Sequence, residues 1–302
     1  MTTIEPGVYD DLDNAKYHGD PALSASGAKL ILDAPAKFEY RRTHPEFKGI
    51  YDIGHAAHAL VLGDAGPQLD VIDAADWRKK ESQEARKAAR LAGRIPLLPK
   101  ELEKVEAMAA AVKKHETAHW LLSQAGKCER SLFWTDEATG VPLRARLDFA
   151  PDQPVEGRLL VPDYKTTNDA SREGFAKTAR NFQYHVQHAF YEEGVRATSL
   201  AERVGFVFIA QETEAPYLVQ VHELDPYDAQ IGRHLMREAI STFKQCTETD
   251  TWPGYPGDVN VISFPPYYRK QFEDVIARPP PTPPQRSPMS ATGRPRRAPP
   301  TS

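Results

Sequence analysis

The sequence predicts a mixed α/β domain: a central mixed β-sheet flanked by helices, with a helical N-terminal region. Three observations predict it. Up to Gly126 the apolar pattern is helical, with Leu102, Val105, Ala109 and Val112 recurring at steps of three and four residues. After Gly126 the period changes, and strand-like runs follow at 128–135, 141–149 and 158–165. Two helical runs, two further strands and a long helix then complete an order that suits one sheet covered by helices.

Residues 1–22 read as an irregular lead-in. The serines of Leu23-Ser24-Ala25-Ser26 offer caps to a short helix ending at Asp33. Pro35 stops it and starts a second helix, which ends in Arg41-Arg42. That pair suits a helix C-terminus by charge, and a phosphate contact is the functional alternative. Residues 51–63 suit a tightly packed helix, in which Gly54, Ala56, Ala57 and Ala59 permit close approach. His55 and His58 share a side of it. Residues 74–93 read as a solvent-facing helix and 99–123 as one long helix begun by Pro99.

The three strand-like runs after Gly126 read as a meander, turning at 136–140 and 151–157. In the second, Arg144, Arg146 and Asp148 alternate onto one face; in the third, Asp163 and Lys165 share a face and Tyr164 points away. Asp148 is thereby a candidate neighbour of Asp163. Helices follow at 171–179 and 181–196, the second placing Gln183, Gln187 and Tyr191 on one side. Strands at 203–211 and 217–224 and a helix at 226–247 close the domain, expected over residues 23–265. Residues 278–302 are rich in proline and arginine, have almost nothing to bury, and read as a disordered tail.

Composition narrows the function. No apolar run approaches the roughly 20 residues that cross a bilayer, and the polar start is unlike a secretory signal, so the expected compartment is cytoplasmic. Two cysteines, Cys128 and Cys246, cannot supply the four thiolates of an iron–sulfur cluster. Net charge is −4, and five arginines fall in the tail, so the remainder is more acidic still. Any nucleic-acid contact must come from a local basic lining. Asp163-x-Lys165 alone is a short pattern that also suits a surface ion pair. His58, Asp148 and Asp163 together can ligate one or two divalent metals, with Lys165 beside the attacking water, which is what phosphodiester cleavage requires.

These residues resemble the PD-(D/E)xK nuclease superfamily, in the branch holding RecB-type domains, lambda exonuclease and, nearest, the exonuclease VIII (RecE) nuclease domain. The resemblance runs through Leu23-Ser24-Ala25-Ser26, Ala34-Pro35-Ala36, Gly54-His55-Ala56-Ala57-His58, Arg144-Ala145-Arg146-Leu147-Asp148, Asp163-Tyr164-Lys165-Thr166-Thr167 and Gln183-Tyr184-x-x-Gln187-x-x-x-Tyr191. It implies a restriction-endonuclease-like core. It implies metal ligation by His58, Asp148, Asp163 and the Tyr164 carbonyl, catalysis by Lys165, and roles for Gln187 and Tyr191; His55 is left as a packing residue. It also implies Mg²⁺, with Mn²⁺ as substitute. The implied activity is 5′-to-3′ degradation of one strand of linear double-stranded DNA, leaving 3′ overhangs for recombination. Ring-shaped homo-oligomers and a single-strand annealing partner, often in phage, belong to the same picture. Ser26, Arg41, Arg42, Arg144 and Arg146 are the DNA-binding candidates. The competing readings are another nuclease of the superfamily, such as the CRISPR-associated RecB type, and a DNA-end-binding protein without activity. One departure stands out: Pro162 directly precedes Asp163 and cannot donate to a sheet ladder.

Overall fold

Helix starts follow the caps that the residues supply. The structure, a computed structural model, describes residues 3–44, 52–63 and 68–277. Ser24 Oγ accepts from the Gly27 N–H at 3.2 Å and opens α2 (Ala25–Asp33); Pro35 opens α3 (Pro35–Thr43). α4 spans Asp52–Leu62 and α5 Lys80–Leu91. The single helix expected over 99–123 is two, α6 (Pro99–Lys114) and α7 (Glu116–Leu122). His115 breaks the run with an extended backbone, and its Nδ1 accepts from the Ala118 N–H at 3.2 Å to start the second helix.

The lead-in, expected to be irregular, carries regular elements. It holds β1 (Gly7–Tyr9) and α1 (Asn14–Gly19), and Tyr17, Ala22 and Phe133 form a small core of their own. A strand of three residues is too short to leave a period in the sequence. The same reason hid β2 (Leu23–Ser24) and the parallel pair β3 (Leu69–Val71) and β4 (Ile95–Leu97).

β5 (Gly126–Thr135) and β6 (Pro142–Pro151) form the expected antiparallel hairpin, with Gly140 at φ +74° in the turn. β1 adds to the outer edge of β5, and β2 lies parallel to β6 at Leu143 and Arg144, giving a sheet of order β1-β5-β6-β2. The expected meander ends here. β7 (Leu159–Thr167) runs beside β6 without a backbone ladder and instead pairs parallel with β8 (Val204–Glu212). β8 pairs antiparallel with β9 (Val219–Glu223), so β7 is the edge of a second sheet, β7-β8-β9. Pro162 accounts for the break. The Leu159 N–H reaches the Arg203 carbonyl, so by alternation the position of Pro162 without an N–H faces β6.

β8 shows how the sheet is sandwiched. Phe206 and Phe208 enter one core with residues of α2, α9 (Tyr184–Ala197) and α10 (Pro226–Thr249). Val207 and Ile209 enter the other, with residues of α4, α6 and α7. The mixed sheet flanked by helices is therefore as expected. α8 (Arg172–Asn181), capped by Ser171, leads into α9. α9 and α10 touch backbone to side: a Cβ on Gly232 would lie 2.0 Å from the His185 carbonyl oxygen. Gly232→Ala is expected to lower stability by about 1–3 kcal/mol, read by denaturant unfolding, because the clash is with backbone. The chain divides into two units, Met1–Tyr255 and Pro256–Ser302; within the second lie α11 (Pro266–Lys270) and α12 (Glu273–Ile276). The tail expected over 278–302 lies outside the described residues. Among the described residues, no helix is long and apolar enough to cross a membrane.

Candidate active site

β7 holds the site on one face and its anchor on the other. Asp163, 1% exposed, and Lys165 form an ion pair on the face shared with α9. Tyr164 turns into the opposite core, where its hydroxyl donates to Gln211 Oε1 at 2.5 Å. Gln187, from the second turn of α9, donates from Nε2 to Asp163 Oδ1 at 2.8 Å. Asp163 thus has one oxygen toward an ammonium and one toward an amide. Tyr191, one turn further, packs edge-on against Phe206 with ring centroids 5.4 Å apart.

The proline before Asp163 now has a structural meaning. Where a ladder would continue, the Tyr164 N–H donates to Asp148 Oδ2 at 2.8 Å. A side chain of β6 therefore supplies the pairing that the backbones of β6 and β7 do not make. In an extended strand a residue's N–H and C=O point to the same edge, so the Tyr164 carbonyl also faces Asp148. Asp148 Oδ2 is in turn 3.2 Å from His58 Nε2. His58 reaches this point because α4 packs closely: a Cβ on Gly54 would lie 3.2 Å from Thr166 Oγ1 of β7. His55, expected to be a packing residue, is exposed and does not pack in the core.

The sequence reading missed Glu129. Cys128 pairs with Phe149 and Arg130 with Leu147, so Glu129 faces Asp148 across the hairpin. Its Oε1 is 3.7 Å from His58 Nδ1, and its φ of 51° is a left-handed conformation that costs a non-glycine residue on the order of 1 kcal/mol. Ligand atoms of His58, Glu129 and Asp148 lie within 4.8 Å of one another, and this His/carboxylate oxygen set suits a hard divalent cation. The register that follows from a turn at 136–140 was the signal that could have found Glu129. A second residue missed is Lys29, on α2. Its Nζ lies 5.2 Å from the Tyr184 ring centroid, and Lys165 Nζ lies 5.5 Å from the same ring.

Charge is distributed unevenly over these groups. Burial, and then the charge of Asp148, raise the Asp163 carboxyl, while Lys165 opposes them. Burial acts against the charged form of Asp148 too, but His58 and Lys165 outweigh it and hold its carboxyl below the usual value. Burial would lower His58, yet Asp148 and Glu129 raise it. Burial and Asp148 raise Glu129. Lys165 is raised, because Asp163 and Asp148 overcome the cost of burial. Lys29 is pressed down to about 7 by burial and by Lys165.

The arginine candidates divide. Ser26 is exposed in the first turn of α2, and Arg41 is exposed in the last turn of α3. Arg42 is held by Glu39 at 2.7 Å. Arg144 and Arg146 are turned inward, contrary to the expectation that they bind DNA. Arg144 donates to the Tyr17 and Asp20 carbonyls; Arg146 donates to Ser131 Oγ and the Leu12 carbonyl at 2.9 Å each; both cover the Tyr17 ring. Alternation fixed their face but not what covers it, which is α1. Arg144→Leu is expected to cost about 2–3 kcal/mol of stability, from two buried charged hydrogen bonds, and to leave the salt dependence of DNA binding unchanged; denaturant unfolding and a salt titration check both halves.

Comparison with known proteins bears on the fold and the family. A solved structure from Eubacterium rectale, named as a candidate exonuclease, superposes with a TM-score of 0.51 at 13% identity, covering 81% of this chain and 93% of that one. At that identity the likeness speaks to fold. The structure of SSO0001, at 13% identity over 71% of this chain and 84% of that one, has a TM-score of 0.26, too low to bear on the fold. No curated protein matches the chain in sequence. The family of PDDEXK-like domains of unknown function (DUF3799) matches residues 34–265. That span takes in every site residue from His58 to Tyr191, and on it the chain belongs to this family and so to the PD-(D/E)xK nuclease superfamily.

Proposed function

We propose that the protein is a metal-dependent exodeoxyribonuclease acting on linear double-stranded DNA. The observation that carries this reading is convergence. Residues from four separated segments, His58, Asp148, the Asp163–Lys165 face and Gln187, meet at one buried strand edge. A structural ion pair needs only two of them.

In this reading His58 Nε2, Asp148, Asp163 and the Tyr164 carbonyl hold a divalent cation, Mg²⁺ by its preference for few carboxylates and retained waters. When bound, the cation lowers the pKa of a water and offsets charge on the phosphate oxygens. Lys165, a cation in its pair with Asp163, orients the attacking water and steadies the negative charge that develops on the phosphate. Gln187 fixes the Asp163 carboxylate through Oδ1, and Tyr191 packs behind Gln187 against β8. Digestion from the 5′ end, 3′ overhangs, a ring of subunits around DNA and an annealing partner extend the reading; they rest on the resemblance.

The test is digestion of end-labelled linear duplexes beside closed circles, with Mg²⁺ or Mn²⁺. Linear DNA should be degraded and circles spared, with 5′-phosphate and 5′-hydroxyl ends compared for polarity. Circles cut as fast as linear DNA would overturn an exonuclease, and binding of ends without cleavage under either metal would favour an inactive end-binding protein.

A further inference from the structure

Among the described residues, Lys29 is an ammonium beside the site with no acid paired to it. Among the described residues it makes no ion pair and no hydrogen bond; its contact is the face of Tyr184. The acid nearest in charge, Asp163, is already taken by Lys165 and Gln187. Two ammonium groups therefore sit against one phenol ring, and the carboxylate of Asp163 is paired with only one of them, Lys165. A half-buried arrangement of this kind costs free energy when empty and loses that cost when an anion enters. Lys165 is committed to the reacting phosphate in the reading above; Lys29, on α2, meets the same ring.

We propose that Lys29 binds a second phosphate of the DNA strand, adjacent to the one that is cut. This deepens the nuclease reading and rests on it for the identity of the strand. The chemistry is that of a point charge on a phosphate oxygen, which sets register along the strand and carries no base preference.

The experiment compares Lys29→Met with Lys29→Arg. Binding of a short labelled duplex is followed by fluorescence anisotropy in EDTA over a salt series, and cleavage is followed with Mg²⁺. Lys29→Met should lose about one unit of the salt slope and about tenfold in affinity, while Lys29→Arg keeps both. In cleavage the loss should fall on KM more than on kcat. Inorganic phosphate should raise the melting temperature of the wild type and not that of Lys29→Met. A salt slope in Lys29→Met equal to the wild type, or Lys29→Arg failing as badly as Lys29→Met, overturns the contact. Wild type that neither binds nor cuts DNA overturns the nuclease reading instead, and the phosphate shift still decides whether Lys29 holds an anion.

Discussion

Replacing Asp163 with asparagine should abolish DNA cleavage, by at least about 10³-fold, and should also weaken the fold. The two losses have different origins and can be separated. The asparagine amide keeps an oxygen for Gln187 Nε2, so that hydrogen bond survives. What disappears is the charge. Lys165 is left in a mostly buried place without its partner, and breaking a buried pair from one side typically costs about 3–5 kcal/mol. Removing both charges in Asp163→Asn with Lys165→Met takes away the orphaned ammonium as well. The double variant should therefore recover much of the stability lost by Asp163→Asn and none of the activity. Denaturant unfolding of the wild type, both singles and the double measures the coupling, and end-labelled duplex digestion measures activity. A double variant no more stable than Asp163→Asn would mean that the pair is not what strains the single. Digestion that persists in Asp163→Asn would remove the acid from the chemistry.

The two flanking signals of the site were legible because each depends on local period. Alternation in β7 put Asp163 and Lys165 on one face, and the four-residue step in α9 put Gln187 and Tyr191 on another. Both patterns survive in the structure, since neither needs knowledge of what lies opposite. The misses are residues whose role is set by a partner far along the chain. Arg144 and Arg146 sit on the predicted face, but α1, from the unrecognised lead-in, covers it. Lys29 occupies an ordinary helix position, and only the packing of α2 on α9 brings it to Tyr184. Glu129 was within reach, because the hairpin turn fixes its register against Asp148. Pro162, which cannot donate to a ladder, constrains the strand before Asp163, and the constraint alone allows either an edge strand or pairing that ends before it. The structure adopts the edge, and the site acid Asp148 supplies the bond there. The strand break and the geometry of the candidate site are thus one arrangement: a continuous ladder between β6 and β7 would have used the Tyr164 N–H on backbone and released Asp148 from its hold.

Mn²⁺ binding should strengthen as pH rises through about 6, and the reason is that three of the groups around the candidate cation hold protons more tightly than usual. Asp163 is raised to about 6, by burial first and Asp148 second; Glu129 is raised by the same two causes; His58, despite burial, is raised by Asp148. Asp163 and His58 must lose their protons to serve as ligands, and a nearby cation favours the charged form of Glu129, so binding should release protons. The sign for the metal-free fold is the opposite. An acid or histidine with a raised value in the folded state contributes stability at low pH and loses it as pH rises through the folded value. Asp148, held low, contributes above the usual carboxylate range and loses that contribution only in strong acid. The metal-free protein should therefore lose stability as pH rises through about 6, while the stabilisation gained from Mn²⁺ grows over the same interval. Calorimetric titrations in two buffers of different ionisation heat measure the proton release, and melting temperatures with and without Mn²⁺ measure the stability increment. His58→Gln should lower Mn²⁺ affinity by about 10–100-fold and remove one linked proton. An Mn²⁺ affinity that stays flat across this interval would place the cation away from Asp163 and His58, and with it the site's chemistry.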